Sequence, residues 1–109
     1  MLNLTPHAIK VLSAATGEVV EYPASGVLAR VSTSTVLIGQ IDGMAIYRTE
    51  YGTVEGVPAA GTEKFLVSAM VLAQLGEEYS GWAFAPRTDG SAVRNDKGHI
   101  DYVVGLVTV

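Results

Sequence analysis

Residues Lys64–Gln74 read KFLVSAMVLAQ, and this stretch predicts a strand followed directly by a helix. Phe65-Leu66-Val67 is a short apolar run typical of a buried strand, and an apolar helical run, Ala69–Leu75, follows Ser68. We predict that Ser68 is the helix N-cap, because its hydroxyl can accept from amides that have no partner within the first helical turn. The amino end of a helix also favours negative charge, so this junction is a candidate anion site.

Length and composition indicate one folded domain, residues 1–109. Half of the residues are apolar (49%) and 17% are charged, a composition that can build a core. No apolar run of about 18 residues predicts a membrane span, and no basic segment followed by an apolar stretch predicts a signal peptide. The sequence has no cysteine, which excludes disulfides and thiol nucleophiles. We expect a cytoplasmic protein that does not bind membranes.

The net charge of −4 argues against binding to polymeric nucleic acid, which requires a basic face. It leaves room for one small anionic ligand held by two or three arginines. The low charged fraction also indicates that part of the surface is covered in an oligomer, since interface cores are depleted of charge. We expect a homo-oligomer.

Turn signals divide the rest of the chain into β-strands. Asp42-Gly43 lies between the apolar runs Val36–Ile41 and Met44–Thr49, which is a strong hairpin signal. Asn95–Gly98 gives a second hairpin signal, between Ala92–Arg94 and His99–Val107. Four further strands are predicted at Ala8–Leu12, Val19–Tyr22, Gly26–Ser34 and Trp82–Ala85. The predicted class is α+β, mostly β: a small curled sheet or barrel of about seven strands with one helix packed on it.

Asn3-Leu4-Thr5-Pro6-His7 resembles the opening of small uncharacterised proteins from actinobacteria and bacteriophages. The resemblance continues through Pro23–Gly26 and Val93–Asp96 and covers most of the chain, but not Ser80–Gly90, which is longer here. It implies a compact phage or bacterial accessory protein, located in the host cytoplasm if viral, and it implies no reaction.

Arginine and tyrosine are the residues that point to a ligand. The chain has four arginines, Arg30, Arg48, Arg87 and Arg94, and guanidinium groups bind phosphate and carboxylate bidentately. We predict an anion site where Ser68 meets Arg30 and Arg48, with Arg94 as a third contact. The alternative is that the arginines are exposed and pair with Glu50, Glu55 or Asp89.

Tyr47 and Tyr51 flank Arg48 in the sequence, a pattern suited to stacking on a nucleobase while the arginine contacts phosphate. The alternative is that the tyrosines only cover faces of the sheet. His7 and His99 have no visible catalytic or metal-binding partner, and the Gly-x-Ser-x-Gly and Walker A patterns are absent. We therefore expect no catalytic residue, no metal ligand and no cofactor.

The leading hypothesis is a non-enzymatic binding protein that sequesters a small anionic, nucleotide-like ligand. Combined with the resemblance, this would suit an anti-defence sponge of a bacteriophage. The alternative is a protein–protein interaction or assembly module that has no small-molecule ligand. The two hypotheses differ in whether nucleotides stabilise the protein.

Overall fold

The structure is a computed structural model that describes residues 1–109. Ten strands, one α-helix and one 3-10 helix follow one another in the order β1 (Leu2–Asn3), β2 (Ile9–Leu12), β3 (Val19–Tyr22), β4 (Arg30–Ile41), β5 (Met44–Glu55), β6 (Phe65–Leu66), α1 (Ala69–Ala73), the 3-10 helix (Glu77–Tyr79), β7 (Ala83–Pro86), β8 (Val93–Arg94), β9 (Ile100–Tyr102) and β10 (Leu106–Thr108).

A four-stranded sheet with the order β1-β6-β7-β10 forms the centre. β6 pairs in parallel with both β1 and β7, and β10 pairs antiparallel with β7. Helix α1 follows β6 after two residues, which confirms the predicted strand–helix junction, and it buries Val71 and Leu72 against this sheet. Phe65, which is fully buried, packs edge-on against Tyr79 with ring centroids 5.9 Å apart. The core is therefore built around the stretch that best predicted the fold.

The mostly β, α+β class is confirmed, but the prediction of one curled sheet or barrel is wrong. β2–β3, β4–β5 and β8–β9 each form a separate two-stranded sheet. The central strands have only two to four residues, too few to curl into a closed sheet. The predicted strand His99–Val107 is broken at Gly105, whose φ of +103° favours glycine, so its two halves join different sheets.

The N-terminal segment is held by a buried amide. Asn3 is 1% exposed, and its Nδ2 donates to the carbonyls of His7 and Tyr22, each at 2.9 Å. Its Oδ1 accepts from the amide of Thr5 at 3.0 Å and from the Thr5 hydroxyl at 2.7 Å. All four hydrogen-bonding positions of the amide are used, so the side chain ties β1, the following turn and the end of β3 together.

Strands β4 and β5 form a long hairpin, residues 30–55, which we call the β arm. Its turn is the predicted Asp42-Gly43, and both residues have positive φ (50° and 80°), as the tight hairpin turn requires. At its base, Val31 and Val54 are half-buried against the core. Gly56, with φ +82°, ends the arm where an added Cβ would lie 2.6 Å from the carbonyl oxygen of Leu28.

Replacing Asn3 with alanine should lower the free energy of unfolding by about 3 kcal/mol, because it removes the acceptor of the buried Thr5 amide and the hydrogen bonds to the half-buried Tyr22 carbonyl and to His7. Urea titration followed by tryptophan fluorescence measures the change. Asn95→Ala is the matched control, since the Asn95 side chain also accepts two backbone amides but is exposed, and it should cost under about 1 kcal/mol. Equal losses in the two variants would contradict this role for Asn3.

Candidate functional site

The β arm carries large apolar side chains that nothing in the chain covers. Each strand has twelve residues, enough to span up to about 40 Å. Beyond the base, almost every residue of the arm is exposed. Eight exposed large apolar or aromatic side chains lie on it: Val36, Leu37, Ile38, Ile41, Met44, Ile46, Tyr47 and Tyr51. Met44 and Ile41, next to the turn, are 67% and 61% exposed. Because so many exposed apolar side chains lie on one element, the arm is the candidate interaction surface of this chain.

The whole molecule is extended because of the arm. Its radius of gyration is 16.6 Å, whereas a compact chain of this length has about 13 Å. Its accessible surface is 7090 Å², whereas a folded monomer of 11.4 kDa exposes about 5,800 Å². Only 12 of the 109 residues are buried. A two-stranded ribbon is at best marginally stable in water, so a partner surface on the arm would add to its stability.

Two register shifts divide the arm. One falls between Val31 and Thr33 and the other between Leu37 and Gly39. Between them, Tyr47–Tyr51 pairs with Thr33–Leu37 without interruption. Since successive side chains of a strand point to opposite faces, Tyr47, Thr49 and Tyr51 share one face of the arm, and Arg48 and Glu50 share the other.

Four of the six predicted ligand residues, Arg30, Tyr47, Arg48 and Tyr51, lie on the arm. The strand alternation separates them, however, because Arg48 and the two tyrosines that flank it point to opposite faces. The predicted combination of Tyr47 or Tyr51 with Arg48 on one ligand is therefore not assembled within one chain.

The other two predicted residues lie elsewhere. Ser68 caps α1 by accepting from the amide of Val71 at 3.3 Å, which confirms the predicted N-cap. The arm meets the helix at its opposite end, where Gly52 and Val54 line a cleft of 270 Å³ together with Gln74. Arg94, on β8, donates to the carbonyl of Gly98 at 2.9 Å and so closes its own hairpin.

Two arginines are paired with carboxylates, as the alternative interpretation predicted. Arg48 lies 3.8 Å from Glu50 in an exposed pair, and Arg87 Nε donates to Asp89 at 2.8 Å. Hydrogen bonds from the Ser91 hydroxyl and amide, and from Arg87, lower the pKa of Asp89 from 3.8 to about 2. Arg30 stands opposite Glu55 in the register of the arm. Two of the four guanidinium groups thus lie beside carboxylates of the same chain.

A cleft of 380 Å³ lies between β2 and β9. It is lined by both Lys10 and Asp101, so its charge does not select for an anion. No group of three or more His, Asp or Glu side chains is placed to hold a metal ion. No helix is long and apolar enough to cross a membrane.

Comparison with protein-family models, with curated proteins and with solved structures finds no match to this chain. The geometry of the arm is therefore the main basis for a functional proposal. Two features of the structure were not predicted from the sequence, namely the buried Asn3 amide and the projection of the hairpin away from the core. The unbroken apolar run Val36-Leu37-Ile38 was the signal for the arm, because such a run puts apolar side chains on both faces of a strand.

Replacing Ser68 with alanine should lower the free energy of unfolding by about 1 kcal/mol, since one amide of the first helical turn loses its acceptor. Thermal or urea unfolding of the variant measures the loss. Ser68→Thr is the matched control and should recover most of the stability, because threonine also caps helices. Unchanged stability in Ser68→Ala would show that the cap contributes nothing.

Proposed function

We propose that this chain is a non-enzymatic interaction protein whose β arm docks onto a protein surface and so builds an assembly. The observation that carries the proposal is the arm itself, a two-stranded ribbon anchored only at its base and covered with exposed apolar side chains on both faces. Docking removes this apolar surface from water, and burial of apolar surface is the main favourable term in protein association.

The molecule divides into the β arm and a body, which comprises residues 1–29 and 56–109, and this division supports the proposal. The body holds every buried core side chain, whereas the distal arm holds none. Val31 and Val54 pack at the base and Gly56 allows the chain a close turn there, so the arm leaves the body at a defined place. A docking element needs such an anchor, because a ribbon that is free at its base would lose more conformational entropy on binding.

Hydrogen–deuterium exchange tests the proposal without knowledge of the partner. In dilute protein that is shown to be single chains, amides of residues 33–51 should exchange within about tenfold of the rates of an unstructured chain, because the ribbon alone is marginal. Amides of Phe65–Val67 should be strongly protected, since these residues are fully buried. Arm amides protected as well as the core in single chains would contradict a docking function.

A second candidate function is the sequestration of a small anionic, nucleotide-like ligand by an oligomer. The observation in its favour is that Arg30, Arg48, Tyr47 and Tyr51 share one exposed hairpin. A single arm keeps Arg48 and the two tyrosines on opposite faces, so this function requires arms of different chains that pack face to face. A phage protein of this kind would act as an anti-defence sponge, removing a nucleotide signal of the host.

Calorimetric titration with mono- and cyclic nucleotides tests this second function. Binding of at least one nucleotide is expected, and Arg30→Ala should weaken it by about 2 kcal/mol through the lost charge-assisted hydrogen bonds. Arg87→Ala is the control, because Arg87 lies off the arm in its own pair with Asp89. Absence of binding by the unaltered protein would exclude the nucleotides tested and leave assembly as the function.

A further inference from the structure

The uninterrupted segment of β5 is complementary to itself. Residues Tyr47–Tyr51 read YRTEY, with threonine at the centre, opposite charges on either side of it and tyrosine at both ends. When such a segment pairs antiparallel with a second copy and the two central threonines face each other, every residue meets a favourable partner. The segment coincides with the part of the arm that has a regular ladder, between the two register shifts.

On the premise of the proposed function, we propose that the surface on which the arm docks is a second copy of this chain. The two β5 strands pair edge to edge and antiparallel, about a two-fold axis at Thr49. β5 pairs only with β4 in the single chain, so its outer edge is open. An open edge with free amides and carbonyls is a template for another strand. The result is a four-stranded sheet with the order β4-β5-β5-β4.

The cross-strand contacts favour this register. On one face of the new sheet, Tyr47 of each copy lies opposite Tyr51 of the other copy. The two Thr49 side chains lie between these two tyrosine pairs. On the other face, Arg48 of each copy lies opposite Glu50 of the other copy, which gives two pairs of opposite charge. Aromatic pairs, threonine pairs and opposite charges are the directly opposed pairs that stabilise antiparallel strands.

Neighbouring registers are disfavoured by charge. Moving the two-fold axis to residue 48 places two Arg48 side chains opposite each other, and moving it to residue 50 does the same with Glu50. Like charges directly opposite are destabilising, so only the Thr49 register satisfies both faces. Within one chain the Arg48–Glu50 contact is long, at 3.8 Å, and exposed, so both groups remain accessible to a second copy.

The chain has enough exposed surface for a contact with a second copy, and the faces of the arm stay uncovered in an edge-to-edge pair. With an accessible surface of 7090 Å², the chain exposes about 1,300 Å² more than a folded monomer of its mass. A standard interface buries about 800 Å² on each partner. A two-fold contact needs no other protein, because the same patch serves both sides.

Reversal of the charge at Arg48 or at Glu50 tests the register of the pairing between the two β5 strands. Sedimentation equilibrium of the unaltered protein at micromolar concentration should give a dimer, twice the 11.4 kDa of one chain. Arg48→Glu and Glu50→Arg should each raise the dissociation constant about tenfold or more, because two attractive pairs become repulsive. The control Lys97→Glu makes the same charge change in the β8–β9 turn and should leave the constant unchanged within about twofold.

The decisive sample is an equimolar mixture of the two single variants. The Arg48→Glu chain has glutamate at both residues 48 and 50, and the Glu50→Arg chain has arginine at both. In a mixed dimer each glutamate therefore lies opposite an arginine. Native mass spectrometry should therefore show the mixed dimer in large excess over either variant's own dimer. Statistical mixing, or association of the single variants as tight as that of the unaltered protein, overturns the inference.

Failure of this inference can be distinguished from failure of the proposed function by hydrogen exchange on the same samples. A protein that stays a single chain at micromolar concentration, and whose arm amides exchange freely there, overturns self-association, while the arm remains a docking element for a different protein. Single chains whose arm amides are protected overturn both, because such an arm needs no partner. A dimer with protected arm amides that respond to the charge variants supports both.

Discussion

The buried Asn3 amide is the constraint on which the rest of the structure depends. Its four hydrogen bonds fix the N-terminal strand against the turn at His7 and the end of β3. The segment that leads to the arm is bonded to the backbone of the same N-terminal segment. The amide of Ser25 donates to the carbonyl of Asn3 at 3.1 Å, and the amide of Ala29 donates to the carbonyl of Leu4 at 3.0 Å. A buried polar group without a partner costs free energy, so loss of one of these hydrogen bonds destabilises the whole segment. Together they fix the place where the arm leaves the body.

Local features were predictable from the sequence because local chemistry decides them. The Asp42-Gly43 turn, the Ser68 cap and strand Val19–Tyr22 all formed as the residues indicated. Pairing between distant segments was not predictable in this way. The parallel contact of β1 with β6 joins residues that are more than sixty positions apart, and neither two-residue strand has enough alternation to reveal its partner.

The candidate site was only partly predictable for a related reason. Alternation predicts that two residues such as Tyr47 and Tyr51 share a face, but not whether that face is covered. The apolar runs on either side of Asp42 predict a hairpin, and its side chains are exposed in the structure. Arg48 follows Tyr47 in the sequence, but the two side chains point to opposite faces of the strand. Adjacency along the chain therefore does not predict that they contact the same ligand. Composition did indicate an oligomer, which remains a proposal.

The two register shifts in the arm have a consequence for how the protein avoids aggregation. A twelve-residue strand with open hydrogen-bonding groups and the run Val36-Leu37-Ile38 resembles a seed for amyloid-like fibres. Each shift interrupts the ladder and increases the local twist, so neither outer edge offers a long flat stretch onto which chains can stack one after another. These irregularities limit how far one exposed arm can act as a template for the next in a fibre.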